Sequence, residues 1–409
     1  MSEIVLINVT GEDRPGITAA LTEILARYRI PVLDIGQSTI HNALTLGLLI
    51  ELPRDGAACP VFKDLLFRAH GMGLDIRFTP IDADDYEGWV HEQGRPRHIL
   101  TLLGREIAAE HIAQVSAVVA ERGLNVDRIV RLTGRISRRD RHPHPLASVE
   151  LSVRGAVDDL SDLHSALLAL GQVMDVDVSV QEDDIFRRNR RLVCFDMDST
   201  LIQTEVIDEL AAVAGVGSEV AAITEAAMRG ELDFQESFRR RMALLKGLDE
   251  SVLAGIADRL PITDGADRLI ATLKRLGYKI AILSGGFTYF AEHLQRRFGI
   301  DDVFANRLEF RDGKLTGEVS GEIIDGARKA DLLREIAARE GIRLEQVIAV
   351  GDGANDLPML SIAGLGIAFH AKPVVTRQAR HSIATVGLDG ILYLLGMRDR
   401  DVAMLVETR

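Results

Sequence analysis

Four short, mostly apolar runs in the second half of the chain constrain its fold more than any other feature. LVCF at Leu192–Phe195, KIAIL at Lys279–Leu283, QVIAV at Gln346–Val350 and GLGIAF at Gly364–Phe369 are each four to six residues long. That is too short for a buried helix. They lack polar alternation, so they read as strands covered on both faces. Asp264–Leu276, Thr288–Phe298, Lys329–Glu340 and Asp356–Ala363 lie between or beside them with helical spacing. The alternation predicts an α/β fold with a doubly wound parallel sheet. Residues of about 205–259 interrupt it just after the first strand with several helical stretches, and read as a helical cap above the sheet.

The first 180 residues have another rhythm. Ile4–Val9, Pro15–Tyr28, Val32–Ile40, Thr45–Leu52, Val61–His70 and Leu74–Pro80 read strand, helix, strand, strand, helix, strand. The same order recurs from His98 to Val180, and ILARYRIPVLDI at Ile24 resembles VVAERGLNVDRI at Val118. An internal duplication of this kind predicts two ferredoxin-like α+β units. The expected boundaries are 1–82 and 96–181 for the two units, 182–191 for a solvated polar linker, and 192–395 for the α/β domain. A chain of 409 residues is long enough for several cores.

The totals exclude some classes. With 61 acidic against 48 basic residues the net charge is −13, which argues against nonspecific contact with nucleic acid or anionic lipid. Cys59 and Cys194 are far apart and fit no metal-ligand spacing, as expected in a reducing, cytoplasmic setting. Neither a leader pattern nor an apolar stretch of ~20 residues is present, so an unexported, non-membrane protein is expected. The HPHP at His142–Pro145 reads as an exposed loop and not a metal site.

In an open parallel sheet, ligands bind beyond the carboxyl ends of the strands. Here the first strand ends in DMDST, the second in LSGGF and the third in GDGAND, while Lys329 opens the helix before the third. Turn propensity explains any one of these alone. It explains all four together poorly. Asp196 and Asp198, two apart at a strand end, can share a cavity, and Asp352 brings a further carboxylate. Asp196, Asp198 and Asp352 are the candidate metal ligands, and all-oxygen ligation suits Mg2+; a structural Ca2+ site is the alternative. Ser284, Gly285 and Gly286 offer a hydroxyl and amides to an oxyanion, and Lys329 adds a positive charge. Such a set suits phosphoryl transfer, with Asp196 as nucleophile and Asp198 as proton donor and acceptor.

DMDST, LSGG, Lys329 and GDGAND resemble the ordered motifs of the haloacid dehalogenase superfamily of aspartate-nucleophile phosphohydrolases, over residues 190 to about 390. The cap, with Glu205 soon after the nucleophile and Arg241 in FQESFRRRMALLKGL, resembles that of the phosphoserine phosphatase family. That resemblance implies that Glu205 faces the substrate ammonium, Arg241 grips its carboxylate and Asn355 assists at the phosphate. The physics agrees, because a zwitterion needs one fixed charge of each sign and an arginine fork reads a carboxylate bidentately. Surface ion pairing of Glu205 and Arg241 is the plainer alternative.

The duplicated units resemble ACT domains, small modules that bind amino acids between copies. The resemblance rests on NVTGEDRPGI from Asn8 and marks Asp13 and Gly16 as effector residues. In the second copy LLGREIAAEHI lacks the Asp, Pro and Gly of the first and leaves Gly104 at the equivalent turn. The resemblance implies a homodimer paired through these modules and a serine effector. A dimerisation scaffold without a ligand is the alternative. For the whole chain, a phosphatase of another small phosphomonoester and an amino-acid-responsive interaction protein with a vestigial phosphatase half stay open.

Overall fold

The computed structural model describes residues 3–52, 58–135, 146–157 and 159–407; His142–Pro145 lie outside them. Compactness divides the chain into residues 1–95 and 96–409.

The first unit is a four-stranded antiparallel sheet with its first two helices packed on one face. Its elements are β1 (Glu3–Glu12), α1 (Ile17–Arg27), β2 (Val32–Ile40), β3 (Ala43–Leu52), α2 (Ala58–Gly71), β4 (Asp75–Ile81) and α3 (Ala83–Glu92), with strand order β2-β3-β1-β4. Period-two alternation sets the register. Val5, Ile7 and Val9 of β1 and Leu44, Leu46, Leu48 and Ile50 of β3 point to the buried side, where Leu21, Leu25, Val61 and Leu65 of the helices close the core. The segment left between the two expected units carries α3. Asp82 caps it by accepting from the Asp84 amide at 2.8 Å, and acidic residues fill its first turn, so capping and the helix dipole offset a weak apolar face.

The second unit begins with the duplicate: β5 (Arg97–Gly104), α4 (Ala109–Glu121), β6 (Asn125–Arg131), β7 (Ala147–Arg154), α5 (Leu160–Met174) and β8 (Asp177–Glu182), ordered β6-β7-β5-β8. Then comes β9 (Leu192–Phe195), a tight turn at Met197–Leu201, and four cap helices: α6 (Val206–Ala214), α7 (Gly217–Met228), α8 (Phe234–Leu244) and α9 (Val252–Ala257). The rest is α10 (Ala266–Arg275), β10 (Lys279–Phe287), α11 (Thr288–Phe298), β11 (Asp302–Arg311), β12 (Lys314–Ser320), α12 (Gly326–Arg339), β13 (Val347–Gly351), α13 (Leu357–Ile362), β14 (Leu365–Phe369), α14 (Pro373–Gln378), β15 (His381–Ile383), α15 (Gly390–Leu394) and α16 (Asp399–Glu407). The seven strands of this domain run in the order β12-β11-β10-β9-β13-β14-β15, and β9 pairs in parallel with both β10 and β13. The expected fold class is thus present. The sequence reading had no place for the antiparallel hairpin β11–β12, which extends one edge.

The segment 182–191 is not a solvated linker. Arg187 and Arg190 are buried, and Arg187 pairs with Glu150 at 2.5 Å. Burial here comes from the second small domain packing on the large sheet. Ser179 of β8 meets Nδ1 of His381 on β15 at 2.9 Å, and Asp177 accepts from the Ala384 and Thr385 amides and the Thr385 hydroxyl at 2.7–3.0 Å.

Candidate active site

The three central strands deliver their ends to one place. The Asp196 amide bonds to Val350 O at 2.8 Å, which locks the end of β9 to β13 before the chain turns. The Asp196 carboxylate accepts from its neighbour's amide, Met197 N, at 2.7 Å and from Lys329 Nζ at 2.9 Å. Lys329 is fully buried and reaches Asp356 Oδ1 at 2.6 Å as well. Asp325 places this lysine: it caps α12 through the Arg328 amide at 3.0 Å, and Gln235 of the cap donates to its other oxygen at 2.9 Å. Asp352 accepts from Thr200 at 3.3 Å. Oxygens of Asp196, Asp352 and Asp356 lie within 4.8 Å of one another.

Of the three carboxylates expected as metal ligands, Asp196 and Asp352 lie in this cluster. Asp198 does not join that cluster; its carboxylate turns to the Val206 amide at 3.2 Å. Asp356, the second aspartate of GDGAND, takes the place, held by Lys329 and by the Gly353 amide at 2.9 Å. Sequence offered two aspartates in that motif, and only the first was assigned.

Ser284 is buried at the end of β10, and its Oγ accepts from Gly286 N at 2.9 Å. Gly286 is required by close approach: a Cβ there would lie 2.5 Å from Asp198 Oδ2. Asn306 steadies the turn by donating to Gly285 O at 2.8 Å and accepting from Ile324 N at 2.9 Å. The electrostatics follow from burying five charges together, those of Asp196, Asp198, Asp352, Asp356 and Lys329. Burial lifts the carboxyl of Asp196 well above the usual range, aided by Asp356 and opposed by Lys329. Burial and then Glu205 do the same to Asp198. Asp352 is pushed up to about 7, mainly by burial and by the charge of Asp356. Burial opposes the charge on Lys329, yet Asp196 and Asp356 hold it above the usual lysine range.

A cavity of about 800 Å³ lies over these groups and beneath the cap; Asp196, Asp198, Glu205, Arg241, Gly285 and Asn355 all line it. Glu205 accepts from Ser199 Oγ at 2.8 Å. Ser199 holds a left-handed φ of 54°, unusual without glycine, so this turn is fixed by its surroundings. Arg241 sits in the last turn of α8, half-buried, with a buried Nε that has no hydrogen-bond partner. Burial lowers its pKa, and Glu205 and Asp208 oppose that effect. Ser237 Oγ, also lining the cavity, is buried and unpartnered. Ser199 and Thr200 stand in the DMDST motif with no role read from it, and no motif marks Ser237. Their roles depend on the turn and the cap closing over the sheet.

The expected effector residues lie elsewhere. Asp13 is exposed at the end of β1, with its amide on Asn42 O at 2.7 Å and its carboxylate accepting from Thr39 at 3.4 Å. Gly16 caps α1 at φ 93°. Gly104 is buried at the end of β5 beside Val176. The cavity of the first unit, about 370 Å³, opens at neither Asp13 nor Gly16; Leu6, Ile35, Leu49 and Trp89 are among its lining residues.

Comparisons with known proteins agree with this fold. A haloacid dehalogenase-like hydrolase model matches residues 190–364, and ACT domain models match residues 3–79 and 96–181. A phosphoserine phosphatase of Streptomyces coelicolor is 43% identical over 97% of this chain and 93% of its own length. The chain belongs to the phosphoserine phosphatase family. A second family member, from Mycobacterium tuberculosis, is 43% identical over 96% of this chain and 93% of its own length. Among solved structures, a probable phosphoserine phosphatase from Vibrio cholerae aligns with TM-score 0.58 at 32% identity, over 78% of this chain and 90% of its own. In this family member the tandem ACT domains precede the hydrolase domain. Among the described residues, no helix is long and apolar enough to cross a membrane.

Proposed function

We propose that this chain hydrolyses O-phospho-L-serine to L-serine and phosphate through a phosphoester on Asp196. One observation carries the reading. A single cavity holds a nucleophilic carboxylate beside a buried lysine and, under the cap, Glu205 and Arg241 as charges of opposite sign, with the arginine's Nε lacking any protein acceptor. A buried donor left without a partner calls for a ligand acceptor, and the substrate carboxylate supplies one.

In this reading Asp196 attacks phosphorus, while Lys329, the Ser284 hydroxyl and the amides of Gly285 and Gly286 bind the phosphoryl oxygens with Asn355 alongside. Asp198 carries no lysine contact and faces the leaving-group side near Glu205, so it protonates the departing alkoxide and then takes a proton from water. Glu205 binds the ammonium, and Ser199 orients it. Closure of the cap excludes water and strengthens each charge contact.

The carboxylate cluster fits a hard divalent cation. Lys329 serves both Asp196 and Asp356, whereas Asp352 has only a hydroxyl, so three oxygen donors converge with one compensating charge. Asp196, Asp352 and Asp356 would hold Mg2+, which when bound supplies positive charge to the phosphoryl oxygens. We assign the exposed Asp13–Gly16 turn of the first ACT domain to a serine effector and the pairing of ACT modules to a homodimer, in a cytoplasmic protein.

A substrate panel tests the core of this. The kcat/KM on phosphoserine should exceed that on O-phosphoethanolamine and on the deaminated analogue by ~10²-fold or more, because each leaves one charge of the cavity without its partner, and chelator should abolish turnover. Equal rates on all three esters would point to another small phosphomonoester. No turnover on any ester, with metal present, would point to a binding protein.

A further inference from the structure

Another cavity lies between the second ACT domain and the large sheet, within one compact unit and apart from the catalytic groups. Its volume is about 570 Å³. Gln181, Arg190 and His381 are its buried polar members, and His164 and Arg380 add to its wall. Glu182, Asp184 and Glu345 also line it but are exposed, where solvent and salt weaken their charge.

Arg190 is the anomaly. It is only 6% exposed, yet it forms no ion pair among the described residues. Its guanidinium donates to two neutral oxygens, Gln181 Oε1 at 3.1 Å and the Glu345 carbonyl at 3.2 Å, and its buried Nε has no partner. Arginines this deep are ordinarily paired with an anion. Asp184, the carboxylate that acts most on it electrostatically, spends one oxygen on the Arg187 amide at 2.8 Å. Nε2 of His164 is likewise buried and unpartnered, and the His164 and His381 rings lie 5.7 Å apart. Two guanidiniums and two imidazoles thus converge with no carboxylate paired to the deepest of them.

We propose that this cavity binds a small oxyanion, a phosphate or a carboxylate, through Arg190, Arg380 and His164. The ligands come from both sides: Gln181 and His164 from the ACT domain, Arg190, Arg380 and His381 from the segments that carry the large sheet. Occupancy therefore ties the two domains together. Either product of the proposed hydrolysis carries such a group.

The test is a titration of the full chain, labelled with carbon-13 at histidine Cε1, with inorganic phosphate and separately with L-serine. His164→Gln and His381→Gln assign the two signals, so anion binding at the catalytic cavity is not mistaken for binding here. A saturable shift of both signals with phosphate supports a phosphate site, and one with serine alone supports a carboxylate site. In Arg380→Ser, an exposed position outside the catalytic machinery, the midpoint should rise about tenfold, as expected for one lost charge-assisted contact, with kcat on phosphoserine unchanged. Arg190→Gln should abolish the shift, and the surface variant keeps the test sound if that protein fails to fold. Signals unmoved at millimolar concentrations, shifts reproduced by potassium chloride, or equal midpoints in wild type and Arg380→Ser overturn the proposal.

Discussion

The two ACT domains share one topology and differ in what covers their last strand. In the first, β4 follows the burial pattern of a strand with one free face, and the outer strand β2 leaves Val32, Ile35 and Ile40 exposed. In the second, five of the six residues of β8 are buried, because β15 of the hydrolase domain and its following loop lie against it. Duplication supplied two equivalent modules, and contact decided their employment. One remains a module with open surface; the other has become part of the catalytic body.

The strongest test of that division joins catalysis to chain length. Asp196→Asn should lower kcat by ~10³-fold or more, since the proposed nucleophile is lost while the fold around Lys329 is kept. The loss should be the same in the full chain and in a chain beginning at Pro96, whose own kcat on phosphoserine should stay within about twofold of the full chain. A chain beginning at Leu192 exposes β15 and should unfold on the order of 10 °C lower, with each lost kcal/mol worth roughly 2–4 °C in a domain of this size. If removal of residues 1–95 did the same damage, the contrast between the modules would be gone.

A matched pair of substitutions sharpens the comparison. Asp177 and Asp75 are each the first residue of the last strand of their module. Asp177 is buried and accepts three hydrogen bonds; Asp75 is exposed. Asp177→Ala should cost about 2–3 kcal/mol by denaturant titration, because three donors lose their acceptor while the burial penalty on the carboxylate is relieved. Asp75→Ala should change stability by less than about 0.5 kcal/mol.

These contrasts show what the sequence could reveal. Strand ends, glycine turns and the internal repeat are local signals, so the fold class, the modules and the gathering of Asp196, Ser284, Lys329 and Asp352 were all legible. Burial of Arg190 was not, because an arginine in a run of charges looks solvated until another domain covers it. The same holds for Asp356, whose distinction from Asp352 is the direction of a side chain, and for α3, where caps outweigh a poor apolar pattern. The hairpin β11–β12 alternates charged and apolar residues at an exposed edge, so continuous apolar runs could not mark it.

Acidification should also separate the modules. Burial pushes the imidazoles of His98, His164 and His381 below the ordinary range; His164, Arg190 and Arg380 reinforce this at His381, and Glu182 opposes it at His98. The fold thus favours their neutral forms, and below the ordinary pKa near 6.5 the unfolded chain binds more protons. Stability from this junction is complete above that pH and falls as pH drops below it toward the lowered folded-state values. Hydrogen exchange should show β8 and β15 losing protection over that range, while β1 and β3, whose module holds only exposed His41, His70 and His91, keep theirs. Uniform loss across both modules would mean that the histidines do not act at the junction.

The smallest expected effect lies at the helix entrances that differ between the copies. The first enters α1 through Gly16 at φ 93°, a left-handed conformation; the second enters α4 through Ala108 at φ −90°. Gly16→Ala meets no neighbour within 4 Å, so its cost is the backbone strain alone, about 1 kcal/mol. Ala108→Gly removes only a methyl group from an unstrained position and should cost a few tenths of a kcal/mol. If serine binds at the first entrance, Gly16→Ala should also weaken its effect on kcat, and Ala108→Gly should not. An unchanged serine response in Gly16→Ala, with the stability cost present, would separate the strained turn from effector binding and leave the first ACT domain as a pairing surface.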